Sequence, residues 1–354
     1  RLVGSEMCIR DRSTLRVLAG ATAFEHVQQY GLRQQDIDLV VGASGGPKWF
    51  CLFGLDQYLF GEFFKDRTSA LSLVGSSAGA WRFACVTQHN PAAATERFAK
   101  AYSSLCFPAN ASIDEITATS ASVLDQVFPS DDAIVQVLNN PVLQLNFIAA
   151  REVKVRKSER KAAQLRRLML AAGANLLQPA LLQKFYKRVV MQNHSNPTLL
   201  QRVPHEAYPL TLDNFKASLL ASGSIPMVMH PVKDPAGLPA GLYMDGGLLD
   251  YHLPLPYQQE GLILYPHFYP YLIPGWFDKS LPWRRAKAAQ MDKMILLCPS
   301  SSWVKSLPYG KIPDRKDFDK LTDTQRLEYW ALVLERSKEL AEDLKSGNYL
   351  LEKL

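Results

Sequence analysis

The chain has 354 residues, a formal net charge of +6, and 47% hydrophobic against 21% charged residues. That balance is ordinary for a globular protein and excludes disordered, collagen-like and low-complexity chains. Five cysteines (Cys8, Cys51, Cys85, Cys106 and Cys298) are too scattered for a disulfide framework or a thiolate zinc site, which fits a reducing compartment.

Residues 1–12 (RLVGSEMCIRDR) show no periodicity and resemble a translated sequencing-adaptor tail foreign to the fold, so fold reasoning starts after them. Residues 13–354 read as a single domain with no linker, and residues 257–354 within it hold no motif that can be assigned. No apolar run approaches the ~20 residues of a membrane span, and no charged segment followed by an apolar one opens the chain as a secretory signal would. The expectation is a cytoplasmic protein, with peripheral membrane contact left open.

In chain order, residues 21–30 read as a helix stopped by Gly31, and 36–41 (DIDLVV) as a short apolar strand. A glycine-rich turn over 42–46 leads to Pro47, placed at the first position of a helix that runs to about 63, with Leu52, Leu55, Leu59 and Phe63 at helical spacing. A second strand over 70–74 meets another glycine-bearing turn and a helix over 80–87. Two strand–turn–helix units in succession predict an α/β fold of three layers, α/β/α, with a mostly parallel central sheet. Further helices are expected over 92–104, 113–128 and 158–172, and strands over 144–149, 189–192, 241–244, 261–265 and 293–298. A capping box at Thr322 to Gln325 opens a final helix through Leu344, with Gly347 as its stop.

The charge is concentrated. Residues 151–167 hold eight basic side chains (Arg151, Lys154, Arg156, Lys157, Arg160, Lys161, Arg166 and Arg167) against Glu152 and Glu159, a surplus that accounts for the whole net charge. Such a patch suits a solvated helix face or an anionic surface. No nucleic-acid module accompanies it, so no nucleic-acid partner is expected.

The pattern G-x-S-x-G occurs twice, as Gly42-Ala43-Ser44-Gly45-Gly46 and as Gly75-Ser76-Ser77-Ala78-Gly79. Each follows an apolar strand and precedes a helix, the position where open α/β sheets bind ligands. A serine on so sharp a turn is pushed clear of the sheet, and Gly75 and Gly79 flank it because a β-carbon would clash there. Ser77, between small neighbours, suits a nucleophile. The first loop, richer in glycine and running into Pro47 and Lys48, suits binding of a developing anion by the Gly45 and Gly46 amides. Downstream, a strand ends in Asp245-Gly246-Gly247. The two glycines let the chain turn sharply and present the Asp245 carboxylate, which could take the Ser77 proton directly.

A glycine-rich turn with lysine, a G-x-S-x-G about thirty residues later and a distant Asp-Gly-Gly together resemble the patatin-like phospholipase family. Residues 221–226 (ASGSIP) are similar to the Ala-Ser-x-x-x-Pro turn of that family, and the likeness spans residues 39–256. The resemblance implies a patatin-like α/β/α lipid acyl hydrolase (a phospholipase or esterase) with a Ser–Asp dyad and an acyl-enzyme intermediate. It makes Ser77 the nucleophile and Asp245 the base, matches Gly45 and Gly46 to the oxyanion loop, and puts Lys48 at that loop's basic position. This chain departs from the family pattern at Ser44 and Trp49, where glycines are usual, and at His252-Leu253-Pro254, where Asn-x-Pro is usual. An acyltransferase using the same dyad, and a non-catalytic lipid-binding protein, are the alternatives. His252 and His267 follow Asp245 in the order a Ser–Asp–His triad would need. The expected partners are a lipid or ester substrate and an anionic membrane touched peripherally, through the basic patch or through the aromatic stretch at 265–285. No cofactor and no metal are expected.

Overall fold

A computed structural model describes residues 13–108, 110–153 and 161–354. The chain opens with β1 (Leu15–Ala19) and α1 (Ala21–Tyr30), which stops at Gly31 with φ at 74°. Then β2 (Ile37–Gly42) runs through the first glycine-rich turn into a 3₁₀ segment, Gly46–Leu52, and on into α2 (Phe53–Tyr58) and a π turn, Leu59–Phe63. After β3 (Leu71–Ser76) come α3 (Ala78–Val86), α4 (Pro91–Ser103), α5 (Ile113–Val127) and α6 (Asp131–Leu138). The long β4 (Leu143–Glu152) and α7 (Lys161–Leu177) precede β5 (Tyr186–Gln192), β6 (Glu206–Pro209) and α8 (Phe215–Gly223). The chain continues through β7 (Val232–Lys233), β8 (Leu242–Asp245), β9 (Leu262–Pro266) and β10 (Met294–Pro299). It closes with α9 (Ser301–Ser306), α10 (Asp317–Lys320), α11 (Asp323–Arg336), α12 (Lys338–Ser346) and β11 (Leu350–Lys353).

The eleven strands form one sheet in the order β11-β1-β10-β9-β2-β3-β4-β5-β6, with β8 pairing β4 and β7. The five strands from β10 to β4 along that path run parallel. They are close to continuous apolar runs, as strands covered by helices on both faces must be. The architecture is α/β with a mostly parallel central sheet, consistent with three α/β/α layers. Antiparallel partners frame the parallel core, β1 against β10 on one side and β5 against β4 on the other. The stretch 257–354, unreadable as motif, supplies β9 and β10 inside the sheet and β11 at its edge.

One departure has a local cause. The predicted helix from 322 to 344 is two, divided at Ser337 between α11 and α12. There the Ser337 hydroxyl donates back to Leu334 O and accepts from the Gly54 amide. Back-bonding of this kind bends helices. A β-carbon on Gly54 would lie 2.5 Å from Ser337 O, so α2 crosses at backbone contact. The helix expected over 158–172 is α7, which extends to Leu177; its first expected residues, with Lys154, Arg156, Lys157 and Arg160 of the basic run at 151–167, lie outside the described residues.

Register places the site. β2 and β3 pair with Gly42 opposite Gly75, so both glycine-bearing turns leave the sheet side by side. β3 and β8 meet end to end along one edge of β4: Ser76 lies opposite Ile148, and Asp245 opposite Ala149. One strand runs up to that point and the other runs down to it.

Candidate active site

Ser77 sits between β3 and α3 with φ at 53° and ψ at −123°, a conformation L-residues avoid. The glycines around it are demanded by contact. A β-carbon on Gly79 would lie 2.0 Å from Gly42 O, and one on Gly75 would lie 2.7 Å from the Ala80 amide nitrogen. The Ser77 amide donates to Ser222 Oγ at 3.0 Å, and Ser222 in turn donates to Ile148 O at 2.7 Å. Ser77 Oγ donates to Asp245 Oδ2 at 2.8 Å.

Asp245 is held from both ends. Its amide donates to Ser224 O at 2.9 Å, and its Oδ1 accepts from the Gly247 amide at 2.7 Å. Burial raises the carboxyl above its ordinary value, while the Ser77 and Gly247 hydrogen bonds and the charges of Lys279 and Arg315 pull it back. Gly246 lies against β4, where a β-carbon would stand 2.2 Å from Ile148 O. The segment 221–226 therefore brackets both residues, Ser222 from below Ser77 and Ser224 from beside Asp245.

The first glycine-rich turn lines the same cleft through Ser44, Gly45, Gly46 and Lys48. Among the described residues the Gly45 and Gly46 amides have no partner, as the opening amides of a helical segment do not. Gly46 has φ at 55°, and a β-carbon on Gly45 would lie 2.7 Å from the Phe268 ring. The Ala78 amide, first in α3 and directly after Ser77, is likewise unpartnered among the described residues and is a donor the sequence reading did not single out. Ser44 is buried and donates to Ser76 Oγ at 3.1 Å rather than to a carboxylate.

The two histidines take no part in the pair. His252 Nδ1 accepts from the Ile273 amide at 3.0 Å, and His267 Nδ1 accepts from the Tyr269 amide at 2.9 Å. Their rings pack edge to face 4.3 Å apart, and burial pushes His267 down to about 3 and His252 well below its usual value. A Ser–Asp–His triad is thus absent from the geometry: Asp245 is satisfied by Ser77 and Gly247.

Two cavities join at Ser77. One, of about 430 Å³, is walled largely by apolar side chains of α3, α4, α5 and the loops near them, among them Trp81, Phe98, Ile116 and Val123. The other, of about 410 Å³, is lined by Tyr251, Tyr269, Tyr271 and Trp276 and by the cations Lys48, Lys279, Arg315 and Lys316. Lys279 is exposed as a residue, yet its ammonium lies 4.0 Å from the centre of the Tyr251 ring. Desolvation in the cleft, then repulsion from Lys48, brings Lys279 down to about 7, against the pull of Asp245. Desolvation lowers Lys48 as well, opposed by Asp314. Lys279 and Arg315 were missed in the sequence; the only signal was Lys279's place inside the aromatic stretch 265–285. Among the described residues no group of three or more His, Cys, Asp or Glu side chains is placed to hold a metal ion, and no helix is long and apolar enough to cross a membrane.

No family model matches the chain, and no curated protein matches it.

Proposed function

We propose that this protein is a serine hydrolase of lipid acyl esters, working through Ser77 and Asp245 in the manner of the patatin-like phospholipases. The observation that carries the reading is the 2.8 Å hydrogen bond from a strained, elbow-borne serine to a buried carboxylate that no histidine touches. Asp245 takes the Ser77 proton as Oγ attacks the ester carbonyl. The carbonyl oxygen becomes an oxyanion, held by the Gly45 and Gly46 amides. A preorganised donor of this kind is worth about 3–4 kcal/mol in serine hydrolases. The C–O bond to the alcohol breaks, the alcohol takes the proton from Asp245, and an acyl ester on Ser77 remains. Water then gives a proton to Asp245, attacks the acyl carbon and releases the fatty acid, and the proton returns to Ser77.

The paired cavities support a lipid substrate. The apolar one suits an acyl chain, and the aromatic, cationic one suits an anionic alcohol such as a phosphate-bearing head group. Lys48 and Lys279 would face that group across the cleft.

Labelling with a fluorophosphonate probe, read by mass spectrometry, tests the reading. Modification of Ser77, lost in the Asp245→Asn variant, is the expected result. Modification of Ser44, or no modification of a protein that turns over esters, would refute it.

A further inference from the structure

Helix α7 turns much of its apolar surface to solvent. Its inward face is Gln164, Leu168, Ala171 and Asn175, and the last of these donates to Asp278 Oδ1 at 2.8 Å. Its outward face carries Leu165, Met169, Leu170, Leu176 and Leu177, which are 48%, 63%, 56%, 57% and 82% exposed. These positions recur at helical spacing on one side, so the face is continuous. Arg284 donates to Leu176 O at 3.0 Å and to Asn175 O at 3.3 Å, which brings its neighbour Trp283, 70% exposed, to the same end of the helix. An exposed stripe of leucine, methionine and tryptophan of this size marks an interaction surface rather than scattered surface apolars.

The charge around it selects the occupant. Among the described residues Arg166 on α7, Lys184 just beyond it, and Arg284 and Arg285 beside Trp283 form no ion pair, whereas Arg167, Lys187 and Arg188 pair with Glu152, Glu206 and Asp250. A second copy packed on this face about a two-fold axis would set like charges against like. An anionic lipid surface is complementary to it, with leucine, methionine and tryptophan entering the acyl boundary and the cations meeting head groups. The segment that ends in Trp283 also supplies Trp276 and Lys279 to the wall of the Ser77 cleft, so the face and the cleft share one strap of chain.

We propose that the outward face of α7 together with Trp283 is a docking surface for an anionic lipid bilayer, seating the cleft beside the membrane. Docking stands apart from the hydrolase reading; delivery of a lipid to Ser77 rests on it.

Co-sedimentation of the whole chain with phosphatidylcholine vesicles, with and without phosphatidylglycerol, tests this. The protein should sediment with the anionic vesicles, less as salt rises. The paired substitution Met169→Ser with Leu177→Ser should weaken partition at least about tenfold, and Trp283→Ala alone should weaken it measurably. Turnover of a soluble short-chain ester without vesicles, and the melting temperature, should be unchanged in these variants. Failure of the parent to bind, or variants that bind as the parent does, would overturn the proposal. So would light scattering that shows a parent dimer split by the same substitutions, which would give the face to a second copy. Vesicle binding lost in the variants, from a parent that turns over no ester, would sink the hydrolase reading and leave the docking surface standing.

Discussion

The backbone at Ser77 offers a measurement that separates strain from chemistry. Its φ of 53° and ψ of −123° cost a residue with a β-carbon roughly 1–3 kcal/mol. Ser77→Ala removes the hydroxyl and keeps the β-carbon, so the strain stays. Ser77→Gly removes the same hydroxyl and the strain together, against a backbone-entropy penalty of about 0.5–1 kcal/mol. The lost hydrogen bond to Asp245 is common to both variants and cancels in the comparison. The glycine variant should therefore be more stable than the alanine variant by up to roughly 2.5 kcal/mol. Equilibrium urea unfolding of the two, at one pH and with equal m-values, reads that difference. Ester turnover read on the same samples should fall to background in both. A glycine variant less stable than the alanine one would refute the strained elbow. Turnover at the parent rate in either variant would refute Ser77 as nucleophile.

Asp245→Asn should abolish turnover and yet stabilise the fold at neutral pH. Burial raises the folded-state value above the unfolded 3.8, so the parent loses stability as pH rises through the folded value. The gain from asparagine should fade below that unfolded value, and urea unfolding at neutral and acid pH checks the sign. Lys279 titrates at about 7, so KM for esters of anionic alcohols should rise as pH passes 7 while KM for a neutral nitrophenyl ester does not. In Lys279→Gln that difference should vanish, and a pH dependence left intact would show that the ammonium does not meet the substrate. Gly45→Ala puts a β-carbon 2.7 Å from the Phe268 ring and tilts the amide, so kcat should fall by on the order of a hundredfold with KM little changed. A loss confined to KM would remove that amide from the oxyanion role.

The readable parts of the site were those in which a local rule and a chemical need coincide. Gly75, Gly79, Gly246 and Gly247 stand where a β-carbon would strike backbone or a neighbouring side chain, so turn chemistry marks Ser77 and Asp245 within a few residues of sequence. Strands of the parallel core were visible as apolar runs because helices cover both faces. Other features depend on partners far along the chain. β1 earns its place only against β10, nearly three hundred residues on, and β11, more than three hundred on, and five residues carry no period of their own. The division at Ser337 follows from Gly54 crossing it, a contact no helical pattern within 322–344 encodes. Lys279 and Arg315 reach the cleft from irregular segments whose paths periodicity does not describe.

The direction of β8 was the least legible feature and the one on which the pair depends. Were β8 parallel to β4, it would leave the sheet beside β3 and point its terminal side chain along the same direction as Ser77. Antiparallel, it runs into the end of β3, and adjacent β4 positions, Ile148 and Ala149, set the two ends one residue apart. A slip of one residue would turn Asp245 to the opposite face of the sheet. The chain resists that slip just beyond the site. Gly246 packs on Ile148 O, and Asp250 takes a bidentate pair from Arg188 of β5 at 2.5 and 2.8 Å, so β8 is pinned to the strand on the far side of β4. Breaking a buried pair of this kind costs about 3–5 kcal/mol, more than the strain held at Ser77. The register that aligns hydroxyl and carboxylate is therefore held from β5 as well as by the pairing of β8 with β4.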